Sequence, residues 1–238
     1  MPTIWYDTPI TRTEQIAPNV RRFWLQNPGI SFSAGQFITM DLPIGDKRLQ
    51  RWRSYSIASA PSDGGDLELC IVRSADGLGT AYLFDSCDVG TSIRWKGPDG
   101  AFILPETLDK DLVMICTGTG IAPFRSMLRE MVHRKAPHRK VHLIFGCRTT
   151  EEMLYRTEME ELAKNIPDFE YDIALSRQPD WTGYQGYVHQ IYQEKYANTR
   201  PDIKFMICGW SKMIDDAVAH LIVDMGYERG QVVYELYG

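Results

Sequence analysis

Arg53, Tyr55 and Ser56 sit close together in the stretch Arg51-Trp-Arg-Ser-Tyr-Ser-Ile-Ala-Ser59. If this stretch is a strand, Arg53 and Tyr55 share one face and Ser54 and Ser56 the other. The guanidinium can fork onto a phosphate while the tyrosine lays its ring on a flat heterocycle, with the Ser56 hydroxyl at the edge of that ring. An exposed strand with a chance alternation of Arg and Tyr has the same pattern, and these residues alone leave both readings standing. Downstream, Gly77-Leu78-Gly79-Thr80 places two glycines and a hydroxyl at the start of a short helix. Outward backbone N–H groups and a capping threonine would make a small anion site; an ordinary turn with an N-cap is the other reading. In Gly118-Thr119-Gly120-Ile121-Ala122-Pro123-Phe124 a glycine turn joins an apolar strand to a helix. That is where a dinucleotide phosphate docks in an α/β domain, because backbone can approach it and the helix N-terminus carries partial positive charge. Pro123 suits the first helical position. The spacing is not Gly-x-Gly-x-x-Gly, so the ordinary dinucleotide fingerprint is absent.

Two kinds of element must position these residues. Residues 1–105 read as short β-strands, among them Arg22–Gln26, Phe37–Leu42, Leu67–Arg73 and Ser92–Lys96. Turn signals such as Asn27-Pro28-Gly29 and Pro98-Asp99-Gly100 separate them, and the pattern predicts a small antiparallel barrel. From about residue 110 the character changes. Compact apolar runs at Leu112–Cys116, Val141–Phe145, Tyr171–Leu175 and Phe205–Cys208 alternate with helical stretches at Phe124–Arg134, Thr150–Asn165, Gln190–Tyr196 and Lys212–Met225. Alternating strand and helix predict a parallel sheet, with a domain boundary near 104–109. Arg148 falls at the C-terminal end of the second parallel strand, the ligand-bearing edge of such sheets. It can face a phosphate or stand as a solvated charge, and both remain open. Cys208, at the mouth of the last helix, is a somewhat acidified thiol, a soft wall beside a ligand, or a buried strand-end cysteine.

Arg53-Ser54-Tyr55-Ser56 resembles the flavin motif of the ferredoxin–NADP reductase family, and the resemblance covers nearly the whole chain. It implies that Arg53 holds the FAD pyrophosphate, that Tyr55 stacks on the isoalloxazine and that Ser56 sits near the nitrogen that accepts hydride. Ser54, Cys70, Ile71, Val72, Gly77, Gly79 and Thr80 complete the FAD contacts that it implies. Gly97-Pro98-Asp99-Gly100-Ala101-Phe102 is similar to the family segment that closes the flavin barrel, and reads as a tight turn with a Phe anchor. Gly118, Thr119 and Gly120 match the NAD(P)-binding segment, with Arg148 following. Cys208-Gly209-Trp210-Ser211-Lys212-Met213 is similar to Cys-Gly-x-x-x-Met, whose cysteine lies beside the nicotinamide. Ser176-Arg177 resembles the pair that grips the extra phosphate of NADPH; the second cation usual there is missing. The segment Trp181–Val188 looks instead like Trp-x-Gly-x-x-Gly of NADH-linked oxygenase reductases. The coenzyme therefore stays open, with a lean to NADPH. Glu235, Leu236 and Tyr237 resemble the Glu-x-Tyr ending in which the aromatic covers the flavin, with one extra residue, Gly238. Ser56, Cys208, Glu235 and Tyr237 are the catalytic candidates.

The whole chain sets limits on these readings. At 238 residues it can build two cores. A net charge of −5 speaks against nucleic acid as partner. No apolar run approaches about 18 residues, and the start lacks a signal-peptide pattern, so a cytoplasmic protein without a membrane span is expected. The five cysteines are scattered, which excludes a local Cys-x-x-Cys site and the ligand set of a plant-type iron–sulfur cluster. No metal is expected. The expected protein is an FAD-binding antiparallel β-barrel (1–105) followed by an NAD(P)-binding parallel α/β domain (106–238), with its active site between them. It takes hydride from NAD(P)H and passes single electrons to a ferredoxin or flavodoxin-like carrier. Two alternatives stand beside it: the NADH-linked reductase component of an oxygenase, and a non-enzymatic FAD-binding electron-transfer subunit. The absence of cysteines after Cys208 counts against the last.

Overall fold

The computed structural model describes residues 3–135 and 137–237, the last without its side chain. Six antiparallel strands come first: β1 (Trp5–Ala17), β2 (Val20–Leu25), β3 (Phe37–Asp41), β4 (Trp52–Ser56), β5 (Leu67–Val72) and β6 (Ser92–Asp99). Their order is β4-β3-β6-β1-β2-β5, and an Ile57–Leu69 bridge ties the two ends of the sheet together. This closure gives the expected barrel. Ile38, Met40, Phe23, Leu69 and the fully buried Trp95 fill it; the Trp95 indole N–H donates to Thr8 Oγ1 at 2.8 Å. The long β1 lies outside the strand runs picked out in the sequence. Strand β6 runs on through Gly97 and Pro98, where a tight turn was expected. Gly97 permits this at φ +129°, with the Phe37 carbonyl 3.1 Å from where a side chain would start. Two helices belong to this unit, α1 (Arg48–Arg51) and α2 (Leu78–Ser86).

The second sheet is parallel throughout. Its strands are β7 (Asp111–Thr117), β8 (Val141–Cys147), β9 (Phe169–Leu175), β10 (Tyr184–Gln185), β11 (Ile203–Trp210) and β12 (Val232–Tyr237), in the order β10-β9-β8-β7-β11-β12. The strand order reverses between β7 and β11, and open α/β sheets bind ligands at the C-terminal ends of the strands at that point. Helices α3 (Ile121–Arg134), α4 (Arg156–Asn165), α5 (Val188–Lys195) and α6 (Ser211–Ala219) make the crossovers, and a π-helical turn (His220–Asp224) extends α6. Helix α3 starts two residues before Pro123, which therefore sits inside the first turn rather than opening it. Its missing N–H is harmless there too, because the first four helical N–H groups have no intrahelical partner. The α4 region opens with a 3₁₀ turn (Thr150–Glu152), so the continuous helix expected from Thr150 is broken.

Two compact units result: Met1–Leu104 with Ala122–Glu130, and Pro105–Ile121 with Met131–Gly238. The body of α3 thus packs in the first unit. Arg125 donates to the Ala58 carbonyl at 2.8 Å, Ser126 to the Ser59 carbonyl at 2.7 Å, and Arg129 forks onto Asp63.

Candidate cofactor and coenzyme sites

In the first unit, register places Arg53 opposite Met40 and Tyr55 opposite Ile38, so both project to one face of β4. Arg53 Nη1 donates to the carbonyls of Trp52 at 2.7 Å and Leu49 at 3.4 Å. Among the described residues no carboxylate pairs with it. Its stem lies against the first turn of α2, where a side chain on Gly79 would begin 2.9 Å from Arg53 Cγ. This is the cradle a phosphate needs: a guanidinium without a counter-charge, a helix N-terminus, and a glycine that lets them meet. Thr80 was expected as the cap. Gly77 takes that position instead, and the Thr80 hydroxyl donates to the Gly77 carbonyl at 3.1 Å while accepting from the Ser74 N–H at 3.0 Å. Threonine here folds the loop, its hydroxyl spent on the Ser74 and Gly77 backbone. Burial pushes the Tyr55 phenol well above its usual pKa, only partly offset by Arg53, so the ring is neutral. Ser56 is buried, and Ser54 meets Thr39 at 3.0 Å. In β5 the Ile71 side chain belongs to the barrel core, which leaves only its backbone for a ligand. Cys70 is buried and Val72 partly so. These residues fit FAD.

In the second unit the ends of β7 and β11 touch. Gly118 turns at φ +53°. A side chain on Gly209, at φ +146°, would begin 2.5 Å from Thr117 Oγ1 and 3.0 Å from Met213 Cε. Thr119 and Cys208 are buried, and Trp210 is exposed. Thr117 was not picked out from the sequence. Its hydroxyl is buried with no hydrogen-bond partner among the described residues, which leaves it open to bond a water or a ligand. The only sequence signal was a hydroxyl directly before the glycine turn. Cys208 ends deep in the sheet, in register with Cys116 and Glu235.

The neighbouring strand ends carry the remaining candidates. Arg148 is exposed, but Glu152 takes its fork, with Nε–Oε2 at 2.9 Å and Nη2–Oε1 at 2.5 Å. A phosphate would have to displace that carboxylate. Arg177 is exposed, and its guanidinium has no partner among the described residues. Its own N–H donates to the Arg148 carbonyl at 2.8 Å, and the Ser176 N–H to the Cys147 carbonyl at 3.1 Å, so the pair is fixed at the sheet edge. The Gly186 N–H donates to the Leu175 carbonyl at 2.8 Å, which brings the exposed Tyr187 ring to the same edge. The Tyr237 side chain and Gly238 lie outside the described residues.

Among the described residues one histidine–carboxylate cluster, His142, Glu170 and Asp172, has metal-like spacing. Lys195 already bridges its two carboxylates, reaching Asp172 at 2.7 Å and also meeting Glu170. Partial burial works against the Asp172 charge, but bonds from His142 and Lys195 hold its carboxyl down at about 2.

Comparison with known proteins finds two family models along the chain. A family model described as "Oxidoreductase FAD-binding domain" matches residues 7–103, and one described as "Oxidoreductase NAD-binding domain" matches residues 114–219. Ferredoxin–NADP reductase B of Sorangium cellulosum is 34% identical over 212 residues, covering 87% of this chain and 85% of that protein. The phenol hydroxylase P5 protein of Acinetobacter pittii is 29% identical over 94% of this chain, which spans only 63% of that relative's length. A crystal structure of a ferredoxin NADP+ reductase from Neisseria gonorrhoeae with bound FAD and NADP superposes with a TM-score of 0.82 at 27% identity, covering 98% of each chain. With both domain models matched along the chain and a ferredoxin–NADP reductase 34% identical over 85% of its own length, the chain belongs to the ferredoxin–NADP reductase family of FAD-dependent NAD(P)H oxidoreductases.

Proposed function

We propose that this chain takes hydride from NAD(P)H onto FAD and delivers the electrons singly to a separate ferredoxin or flavodoxin-like carrier. Bound FAD supplies the exchange between two-electron and one-electron transfer. The observation that carries the reading is Arg53, a guanidinium with no carboxylate partner among the described residues, set against Gly79 at the start of α2. Arg53 and the N–H groups of α2 bind the diphosphate, Tyr55 orients the ring system, and Ser56 offers its hydroxyl at the ring edge. In the other unit Thr117 and the Gly118–Gly120 turn hold the coenzyme, and Cys208 limits where its ring can lie. Glu235 as proton holder and Tyr237 as ring cover remain part of the proposal. Replacing Arg53 by Ala removes charge-assisted bonds of roughly 1.5–3 kcal/mol. FAD should then bind about tenfold or more weakly. An Arg53→Ala protein that keeps its flavin through dialysis as well as wild type would sink the assignment.

The coenzyme we assign is NADPH, because Ser176 and Arg177, whose guanidinium has no partner among the described residues, offer a hydroxyl and a planar fork to its extra phosphate. Arg177→Ala should raise KM for NADPH about tenfold and leave NADH nearly unchanged. Steady-state kinetics with both coenzymes checks this, and equal effects would mean that Arg177 touches a shared part or nothing. A second reading is the reductase component of an oxygenase. The Trp181–Gly186 segment favours it, folded so that Trp181 Nε1 donates to the Ile173 carbonyl at 3.4 Å and Gln185 to the Trp181 carbonyl at 2.9 Å. The phenol hydroxylase and toluate dioxygenase relatives are named for such systems. In either reading the carrier is acidic: Lys47 and Arg48 stand at the start of α1 beside the exposed Leu49, while Arg51 is already forked onto Asp41 at 2.8 and 3.0 Å. A cytoplasmic location goes with both; among the described residues no helix is long and apolar enough to cross a membrane.

A further inference from the structure

The proposed phosphate turn lies inside a segment whose two ends are tied together by a pair that has no part in the binding so far described. Arg73 follows β5 directly, and Asp85 stands in the last turn of α2. Arg73 Nη1 meets Asp85 Oδ1 at 2.6 Å and Nη2 meets Oδ2 at 2.7 Å, a two-pronged fork. Gly77, Gly79 and Thr80 lie between them. Helix α2 does not place itself. It has nine residues with a glycine in the first turn, and only Gly79 and Leu83 are buried; isolated helices below about 12–15 residues are marginal.

Its C-terminal half is what holds it. Leu83 enters the barrel core. Phe84 meets Phe23 edge-on at 6.0 Å. The Arg21 guanidinium lies 4.8 Å from the Phe84 ring and donates to the Phe84 carbonyl at 3.3 Å. Arg73 approaches the same ring at 5.8 Å. The N-terminal half meets Arg53 through Gly79, is tied to the preceding loop by the Ser74–Thr80 bond, and packs Tyr82 against the barrel core.

We propose that the Arg73–Asp85 pair is a positioning clasp for the FAD phosphate site, holding the first turn of α2 at its working distance from Arg53. The proposal rests on the assignment of Arg53 and Gly77–Thr80 to the FAD phosphates. Both partners are about half exposed, at 41% and 54%, and exposed pairs contribute little to global stability. The effect therefore falls on ligand affinity. An open turn must be ordered before its N–H groups converge on a phosphate, and the clasp has already ordered it.

The test is FAD release from purified holoprotein on dilution, followed by flavin fluorescence. Asp85→Asn keeps the side-chain shape and removes the charge. It should weaken FAD about fivefold, the upper end for an exposed pair. The melting temperature at saturating FAD and KM for the coenzyme should stay unchanged. The exchanged pair, Arg73→Asp with Asp85→Arg, should return the dissociation constant to within about twofold of wild type. If Asp85→Asn releases FAD like wild type while Arg53→Ala loses it, the clasp is overturned and the phosphate site stands. If the exchanged pair is as weak as the single variant, the defect is helix disruption and the clasp is again overturned. If Arg53→Ala also keeps FAD, the site assignment itself fails.

Discussion

Gly120→Ala should cut coenzyme-driven flavin reduction by about a hundredfold and leave the bound FAD in place. The backbone at Gly120 is ordinary, at φ −60° and ψ −9°, so any residue could adopt it. What excludes a side chain is the neighbour. An added methyl would run into the Cys208 carbonyl oxygen, 2.7 Å from its carbonyl carbon and 2.9 Å from Gly209 Cα. All of these are backbone atoms of β11, so no rotamer change relieves the clash. Ordinary carbon contacts lie at about 3.5–4.0 Å, so the glycine turn and the end of β11 must part by roughly 1 Å. Overpacking of this kind costs about 1–3 kcal/mol of stability, which a folded domain survives. The coenzyme does not survive it as well. Thr117 and Gly118 stand on one side of the opening and Cys208 and Gly209 on the other, and a misplacement of about 1 Å in a reacting pair costs on the order of a hundredfold in rate. Stopped-flow bleaching by NADPH would read the loss directly, and chemical reduction by dithionite should be unaffected. A bleaching rate within about threefold of wild type would show that the switch point yields without displacing the coenzyme.

The parts of this site legible in the sequence are those whose chemistry is local. Arg53, Tyr55 and Ser56 announce themselves by type and alternation, and the Gly118–Gly120 turn by its place between an apolar strand and a helix. The parts that were not legible depend on a second segment far along the chain. Thr117 reads as an ordinary strand end; only the approach of Gly209 buries its hydroxyl and leaves it without a partner. Arg148 reads as a cation facing a phosphate or as a solvated charge. Glu152 stands four residues on, but the segment between them makes a 3₁₀ turn, so helical spacing could not be assumed. Thr80 was assigned the cap because Ser and Thr are good caps; the loop bond from Ser74, which decides otherwise, has no sequence pattern. Glu68 and Arg125 were not singled out from the sequence, and both are buried.

Glu68→Gln should therefore be the most destabilising of the polar substitutions considered, although Glu68 belongs to no motif. Its carboxylate accepts from Arg22 Nε at 2.7 Å and Nη2 at 2.9 Å, and from Arg125 Nη1 at 3.0 Å. The side chains of Glu68 and Arg125 are 4% and 5% exposed, and Arg22 is 18% exposed. Glutamine fills the same space and can accept one of these bonds. It cannot balance two guanidinium charges brought together out of water. Removing one partner of a buried ion pair costs about 3–5 kcal/mol. Arg22 keeps some solvent and a second carboxylate, Glu14, at 3.4 Å, which places the expected loss near the lower end, about 3 kcal/mol. For a chain of this length that is a fall in melting temperature of roughly 6–12 °C. The same charge leaves β5 and the body of α3 less firmly joined within the first unit, since Arg125 also donates to the Ala58 carbonyl. Arg125→Gln should cost less in the Glu68→Gln background than alone, because the second change then relieves an unbalanced charge. Thermal melts of the two single variants and the double variant close this cycle. Strict additivity would show that Glu68 and Arg125 are balanced separately, and that the triad is only an arrangement of neighbours.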